Sequence, residues 1–82
     1  MDMYQHDSPD SLRFVLRGDL TDAGVQQLQF AWETAKSVLK GKELIIEVSG
    51  LRTVDHAGRE LLIRMRESGA RITAADGRFA SQ

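Results

Sequence analysis

A short apolar run in the middle of the chain is the feature that most limits the fold. The segment "LIIEV" has apolar side chains at Leu44, Ile45, Ile46 and Val48, so both faces of a strand there would be buried. Such a run is typical of a central strand in a parallel sheet. It is far shorter than the ~18 apolar residues that a membrane span requires. We therefore expect an α/β domain built around this strand.

An alternating pattern near the N-terminus predicts a second long strand. In "LRFVLRG", Leu12, Phe14 and Leu16 fall on one face, which is the period of two that a strand with one more buried face shows. Gly18 is predicted to end this strand. The turn signal "SPD" before it would fold "MYQH" back as a short antiparallel edge strand.

One helix is predicted before the apolar run and one after it. The first is expected to start with Thr21 as its N-cap and to end at Lys40–Gly41. The second is expected from Ala57 to about Ser68, followed by Gly69 and a last strand around "ARITA". The apolar residues that should face the sheet are Val25, Leu28, Trp32, Ala35 and Leu39 in the first helix, and Leu61, Leu62 and Met65 in the second.

The predicted element order is therefore β-β-α-β-α-β. Strands joined by crossover helices become parallel neighbours, so we expect a mixed, mostly parallel sheet with helices packed against it. We find no repeat or linker, and we interpret residues 1–82 as one domain.

Charge and cysteine content exclude several functions. The chain has 11 basic and 12 acidic residues spread along its length, with a formal net charge of -1, so it lacks the basic surface that binds nucleic acid or anionic lipid. No cysteine is present, so thiolate metal sites are excluded. The N-terminus "MDMYQHDSPD" is acidic and polar, unlike a signal peptide. We expect a soluble, cytoplasmic protein.

The segment "TVDHAG", Thr53 to Gly58, lies where the central strand meets the second helix. Ligands often bind at such positions in α/β sheets. Asp55 is predicted to be the helix N-cap, with its carboxylate accepting from the amide of Ala57 or Gly58. Asp55 and His56 are chain neighbours whose side chains diverge, so they cannot form a catalytic pair.

Metal and phosphate sites at "TVDHAG" are also incomplete. His6, the other histidine, falls in the predicted edge strand, so too few ligands are available for a metal. The longer segment "SGLRTVDHAG" lacks the phosphate-loop pattern, and Asp55 would repel an anion at the helix start. We expect no catalytic residue, no metal and no cofactor.

Three segments of the chain resemble the STAS family, whose name comes from sulfate transporters and anti-sigma-factor antagonists. They are "LRGDL", "LIIEVSGLRTVDHAGRELL" and "SGARITA", and the resemblance covers Leu12 to Ala74. It implies a STAS-like fold and a bacterial, cytoplasmic, non-enzymatic regulatory module. It also implies docking of the loop and helix start on a protein partner, such as an anti-sigma kinase or the ATPase subunit of a transporter.

The chain departs from the family pattern at the position of its regulatory phosphate. Phosphoregulated antagonists carry the phosphoacceptor hydroxyl where this chain has Ala57, so that switch cannot operate here. Ser49 and Thr53 do not match the phosphoacceptor position. The Asp-x-Ala-Gly pattern instead resembles the STAS subunit of bacterial lipid-transport ABC complexes.

The candidate partner-binding residues follow from this comparison. They are Asp55, His56, Ala57, Gly58 and Arg59, together with the apolar Phe30 and Ile63, which fall off the inward faces of the two helices. The alternative is a sensor that holds a nucleotide or lipid at the helix start, which would need a closed concavity there.

The end of the chain leads to an expectation about self-association. Many STAS domains continue beyond the last strand for longer than the "ADGRFASQ" found here. An open strand edge can pair with another chain, so we expect a homodimer through this edge, Phe30 or Ile63. If the chain is a monomer, we expect Phe79 to fold back over this edge.

Overall fold

The computed structural model describes residues 1–74, and the role predicted for Phe79 lies outside them. Four strands form one sheet in the order β1-β2-β3-β4, with β1 antiparallel to β2 and the other pairs parallel. The mixed sheet and the order β-β-α-β-α-β are confirmed. The elements are β1 (Asp2–Asp7), β2 (Ser11–Leu20), α1 (Ala23–Lys36), β3 (Glu43–Val54), α2 (His56–Glu67) and β4 (Arg71–Thr73).

Both helices lie on the same face of the sheet. The connections from β2 to β3 and from β3 to β4 each lead to the adjacent strand, in the same direction across the sheet. Because such crossovers are right-handed, α1 and α2 lie side by side on one face. The core forms between these two layers. Its fully buried large side chains are Phe14, Leu16, Leu20, Leu28, Ile46, Val48, Leu61 and Met65.

The central apolar strand is confirmed, but its two faces are covered differently. Leu44, Ile46 and Val48 belong to the core beneath the helices, whereas Ile45 lies on the opposite face and is 9% exposed. Arg13 and Arg71 lie beside Ile45 on the neighbouring strands. Their ion pairs, Arg13–Glu47 at 3.7 Å and Arg71–Glu43 at 3.1 Å, surround Ile45 in place of a second layer.

The prediction that Gly18 ends the second strand is wrong. β2 continues to Leu20 because Gly18 adopts a positive φ of 94°, and the pairing with β3 shifts register there without ending. The extension carries the fully buried Leu20 to a position opposite Val54 at the end of β3. The two strands therefore end together, beside the start of α2.

The predicted start of the first helix is also wrong. α1 begins at Ala23, and Asp22, which precedes it, has a φ of 43° and makes no side-chain capping bond. This turn places the carbonyl of Thr21, and not its hydroxyl, at 2.7 Å from the amide of Gly24. Thr21 therefore is not the N-cap.

The first helix ends at Lys36 and not at Lys40–Gly41. The Ser37 hydroxyl donates back to the carbonyl of Thr34, and the amides of Val38 and Leu39 both donate to Ala35, which breaks the regular helical pattern. The buried face of α1 consists of Gly24, Leu28, Ala31 and Ala35. Of the predicted stripe, Val25, Trp32 and Leu39 are partly buried at its margin.

The remaining elements agree with the sequence patterns. α2 buries Leu61, Leu62 and Met65 as predicted, and β4 pairs in parallel with Ile45–Glu47 of β3. No helix within residues 1–74 is long and apolar enough to cross a membrane.

Candidate partner-binding site

The predicted site is the junction between β3 and α2. β3 ends at Val54, Asp55 makes the connection, and α2 begins at His56. The amide of Asp55 donates to the carbonyl of Leu20 at 3.2 Å, which fastens the junction to the end of β2. The start of α2 therefore has a fixed position relative to both strands.

Asp55 is the N-cap of α2, as the sequence predicts. Its backbone is extended, with φ -80° and ψ -179°, and its Oδ1 accepts from the amide of Gly58 at 2.7 Å. Of the two predicted donors, Gly58 is the one that bonds. The cap satisfies an amide that the helix would otherwise leave without a partner, so that amide is not free to bind an anion.

Gly58 permits a close approach between α2 and the end of β2. A Cβ atom on this residue would lie 2.6 Å from the carbonyl oxygen of Leu20 and 2.9 Å from its Cγ. Glycine costs about 1 kcal/mol relative to alanine inside a helix, so its presence in the first turn indicates a packing requirement. The structure gives Gly58 a role in packing. Its role in binding stays a prediction.

The exposed part of the junction consists of His56, Ala57 and Arg59, beside the exposed Thr53. Ala57 is exposed and presents a methyl group to solvent. Ile63 is half-buried. These side chains form one surface around the start of α2. Asp55 caps this helix start, and Gly58 packs it against Leu20.

Two arginines continue this surface along one side of Ile63 on α2, and the exposed Glu60 and Glu67 lie along the other side. Arg59, Ile63 and Arg66 are spaced i, i+4 and i+7, so they share one side of the helix, and we call them the α2 stripe. Neither arginine forms an ion pair within the described part of the chain. The sequence analysis missed Arg66, although its spacing from Arg59 was a sufficient signal.

Phe30 lies on a different surface from the junction. It is 75% exposed on α1, as predicted. The Trp32 side of α1 faces α2, because Trp32 and the end of α2 line the same cavity. Phe30 falls nearly opposite Trp32 around the helix, so it points away from α2.

A cavity of about 290 Å³ lies at the other end of β3 from the junction. Its lining includes Trp32, Lys36 and Lys42, with the Lys36 ammonium 4.1 Å from the Trp32 ring centre. None of its lining residues belongs to Thr53–Gly58. Within residues 1–74, no three side chains of the kinds that bind metals cluster together.

Solved structures with this fold include two that match over most of this chain. One is SpoIIAA, an anti-sigma factor antagonist in its unphosphorylated form, with a TM-score of 0.67 and 23% sequence identity over 89% of this chain and 71% of SpoIIAA. The other is a protein called Mglu, with a TM-score of 0.68 and 17% identity over 89% of this chain and 19% of Mglu. This chain thus spans less than a fifth of Mglu. The STAS-like fold predicted from the sequence is confirmed.

The sequence comparisons add no further relative. No protein-family model matches the chain, and no curated protein matches it. The fold is therefore supported by structure, and the role of the junction rests on its own geometry.

Loss of the Asp55 cap is expected to lower stability without unfolding the chain. Asp55→Ala removes the bond to Gly58 and should reduce the free energy of unfolding by about 1 kcal/mol, within a range of 0.5–2. Asp55→Asn keeps an oxygen acceptor and should retain most of that stability. Urea denaturation of both variants measures this. No loss for Asp55→Ala would show that the carboxylate does not cap the helix, and equal losses for both variants would show that an amide oxygen does not replace it.

Proposed function

We propose that this chain is a non-enzymatic, cytoplasmic regulatory module of the STAS type that binds a protein partner through the β3–α2 junction. The observation that carries the proposal is the rigid, capped start of α2, which presents exposed side chains on a STAS-like fold. SpoIIAA, which shares the fold, is named as an antagonist of an anti-sigma factor. A partner of that kind would be another protein.

The geometry of the junction favours protein binding over the other functions considered. Asp55 is engaged as a cap, which gives it a structural role in place of a catalytic one. The cavity described above lies at the opposite end of β3 from the helix start, so it does not support ligand sensing at the junction. The exposed surface at the junction suits a broad contact with a second protein.

The charge on this surface indicates the chemistry of the partner. The α2 stripe places an apolar side chain between two arginines that have no carboxylate partner in residues 1–74. Complementary charge across an interface fixes orientation and speeds association. We expect the partner to present acidic side chains to Arg59 and Arg66, beside an apolar contact to Ile63. An anti-sigma-type kinase and a transporter ATPase subunit are the two partner classes that the sequence resemblance implies.

Ala57 determines how such binding would be controlled. Without a hydroxyl at the exposed position, phosphorylation there cannot switch the surface on or off. We expect the partner to be held constitutively, or released by a change in the partner itself.

Charge reversal on the α2 stripe tests the proposed function. The tagged chain is used as bait in an extract of its native cells, beside Arg59→Glu and the matched control Lys40→Glu. Lys40 is exposed in the turn between α1 and β3, at the far end of the sheet. Arg59→Glu should reduce recovery of the bound protein at least about tenfold, because it opposes an acidic surface with a like charge. The control should retain it.

The contradicting result is equally clear. If all three baits recover the same protein in the same amount, the junction is not the binding surface. Each variant is first checked for an unchanged denaturation midpoint, so that a loss of binding cannot come from unfolding.

A further inference from the structure

The cavity at the far end of β3 lies between the C-terminal ends of α1 and α2, where β3 begins. Its volume is about 290 Å³. Its lining includes Leu44 and Ala70, which are buried, and Trp32 and Leu39, which are half-buried. Pockets for small molecules measure about 300–1,000 Å³ and are lined mainly by apolar and aromatic side chains. This cavity therefore has the apolar interior of such a site, and its size suits a molecule of one or two rings.

The rim of the cavity carries a positive charge that no ion pair balances. Its charged residues are Lys36, Lys42 and Glu43. Lys42 pairs with Asp7 at 2.6 Å, and Glu43 pairs with Arg71 at 3.1 Å. Within residues 1–74, Lys36 belongs to none of the ion pairs. An anionic group at the rim would therefore gain a cationic partner without displacing one that is already bound.

The helix ends beside the cavity do not oppose an anion strongly. The carbonyls of Thr34 and Ala35 at the end of α1 each accept two hydrogen bonds from the residues that follow. At the end of α2, the carbonyl of Met65 accepts from the amides of Ser68 and Ala70 and from the Ser68 hydroxyl. The negative end of a helix dipole resides in carbonyls that lack a partner. Because these carbonyls are bonded, their repulsion of an anion is reduced.

Trp32 and Lys36 together determine which anion fits the cavity. They are one turn apart on α1, and the Lys36 ammonium lies 4.1 Å from the centre of the Trp32 ring. Glu33, the one acidic residue of α1, accepts a hydrogen bond from Gln29 and does not line the cavity. An aromatic carboxylate can stack its ring against the indole and place its charge at the ammonium. A neutral ring gains only the first contact, and an aromatic amine is also opposed by the charge of Lys36.

We propose that this cavity binds a small aromatic carboxylate, with the ligand ring against Trp32 and its carboxylate at Lys36. Lys36 is exposed, so its side chain can move off the indole as the ligand ring enters. The site is separate from the β3–α2 junction, because none of its lining residues belongs to Thr53–Gly58. One stacked ring and one ion pair give a weak complex, with a dissociation constant of about 100 µM.

Nuclear magnetic resonance of the isotope-labelled chain tests this site. Trp32 is the only tryptophan, so a single indole N–H signal reports on the cavity. The probes share one ring system and differ in charge: naphthoate, naphthylmethanol and naphthylmethylamine, each added to about 2 mM. Naphthoate should shift the Trp32 signal and the amide signals of Ser68–Ala70 in a saturable way. The alcohol should bind at least about threefold more weakly, and the amine more weakly still.

Two lysine variants separate the ion pair from unspecific binding of the ring. Lys36→Met keeps a long side chain and removes its charge, so it should weaken naphthoate binding at least about threefold and leave naphthylmethanol binding unchanged. The control Lys40→Met changes an exposed lysine that does not line the cavity, and it should leave both affinities unchanged. The proposal is overturned by the absence of a saturable Trp32 shift, by equal affinities for the three probes, or by a Lys36→Met variant that binds naphthoate as tightly as the wild type.

Discussion

Replacing Phe14 by alanine is expected to remove about 3–5 kcal/mol from the free energy of unfolding. Phe14 is fully buried beneath the helices, and on the next strand it lies beside Ile46, which is also fully buried. A domain of this length has a total stability of about 4–12 kcal/mol, so this one substitution should leave it close to unfolding. Urea denaturation followed by circular dichroism measures the loss.

Val15 provides the matched control for Phe14. It is the next residue in β2 and points to the open face of the sheet, where it is half-buried. Val15→Ala should lower the free energy of unfolding by about 1 kcal/mol, because it removes fewer buried atoms than Phe14→Ala does. Similar losses for the two variants would contradict a sheet whose core lies on one face.

Gly58→Ala is expected to lower the free energy of unfolding by about 2 kcal/mol, although alanine is the better helix former. The added Cβ would lie 2.6 Å from the Leu20 carbonyl oxygen, which accepts the amide hydrogen of Asp55. Relieving the clash must move α2 away from β2 and stretch this bond. A backbone atom cannot rotate aside as a flexible side chain can.

Ala57→Ser provides the control for Gly58→Ala, since it adds one heavy atom to the exposed neighbouring residue. It should change the free energy of unfolding by no more than about 0.5 kcal/mol. A neutral or stabilising effect of Gly58→Ala in the same denaturation assay would show that the helix does not approach Leu20 closely.

The β3–α2 junction was predictable because its signals are local. A consecutive apolar run, an aspartate before a helical stripe and a glycine three residues later each act over a few residues. Asp55 as cap and the inward Leu61, Leu62 and Met65 of α2 follow from those patterns. The sheet order follows from the alternation of strands and helices.

The parts that were not predictable depend on contacts between distant segments. A glycine often ends a strand, but in this chain the pairing with β3 continues β2 past Gly18 to Leu20. The turn at Asp22 depends on where β2 ends, so Thr21 was wrongly predicted as the cap of α1. The role of Gly58 depends on the position of the Leu20 carbonyl, which the sequence around Gly58 does not encode.

The most direct test of the central claim is hydrogen exchange of the chain alone and in complex with the protein that it captures. Exchange is read by mass spectrometry at peptides covering the junction and α2, residues 53–67, and at peptides covering α1, residues 23–36. Binding through the junction predicts slower exchange in the first set and no change in the second. Slower exchange confined to α1, with residues 53–67 unchanged, would contradict the proposed function.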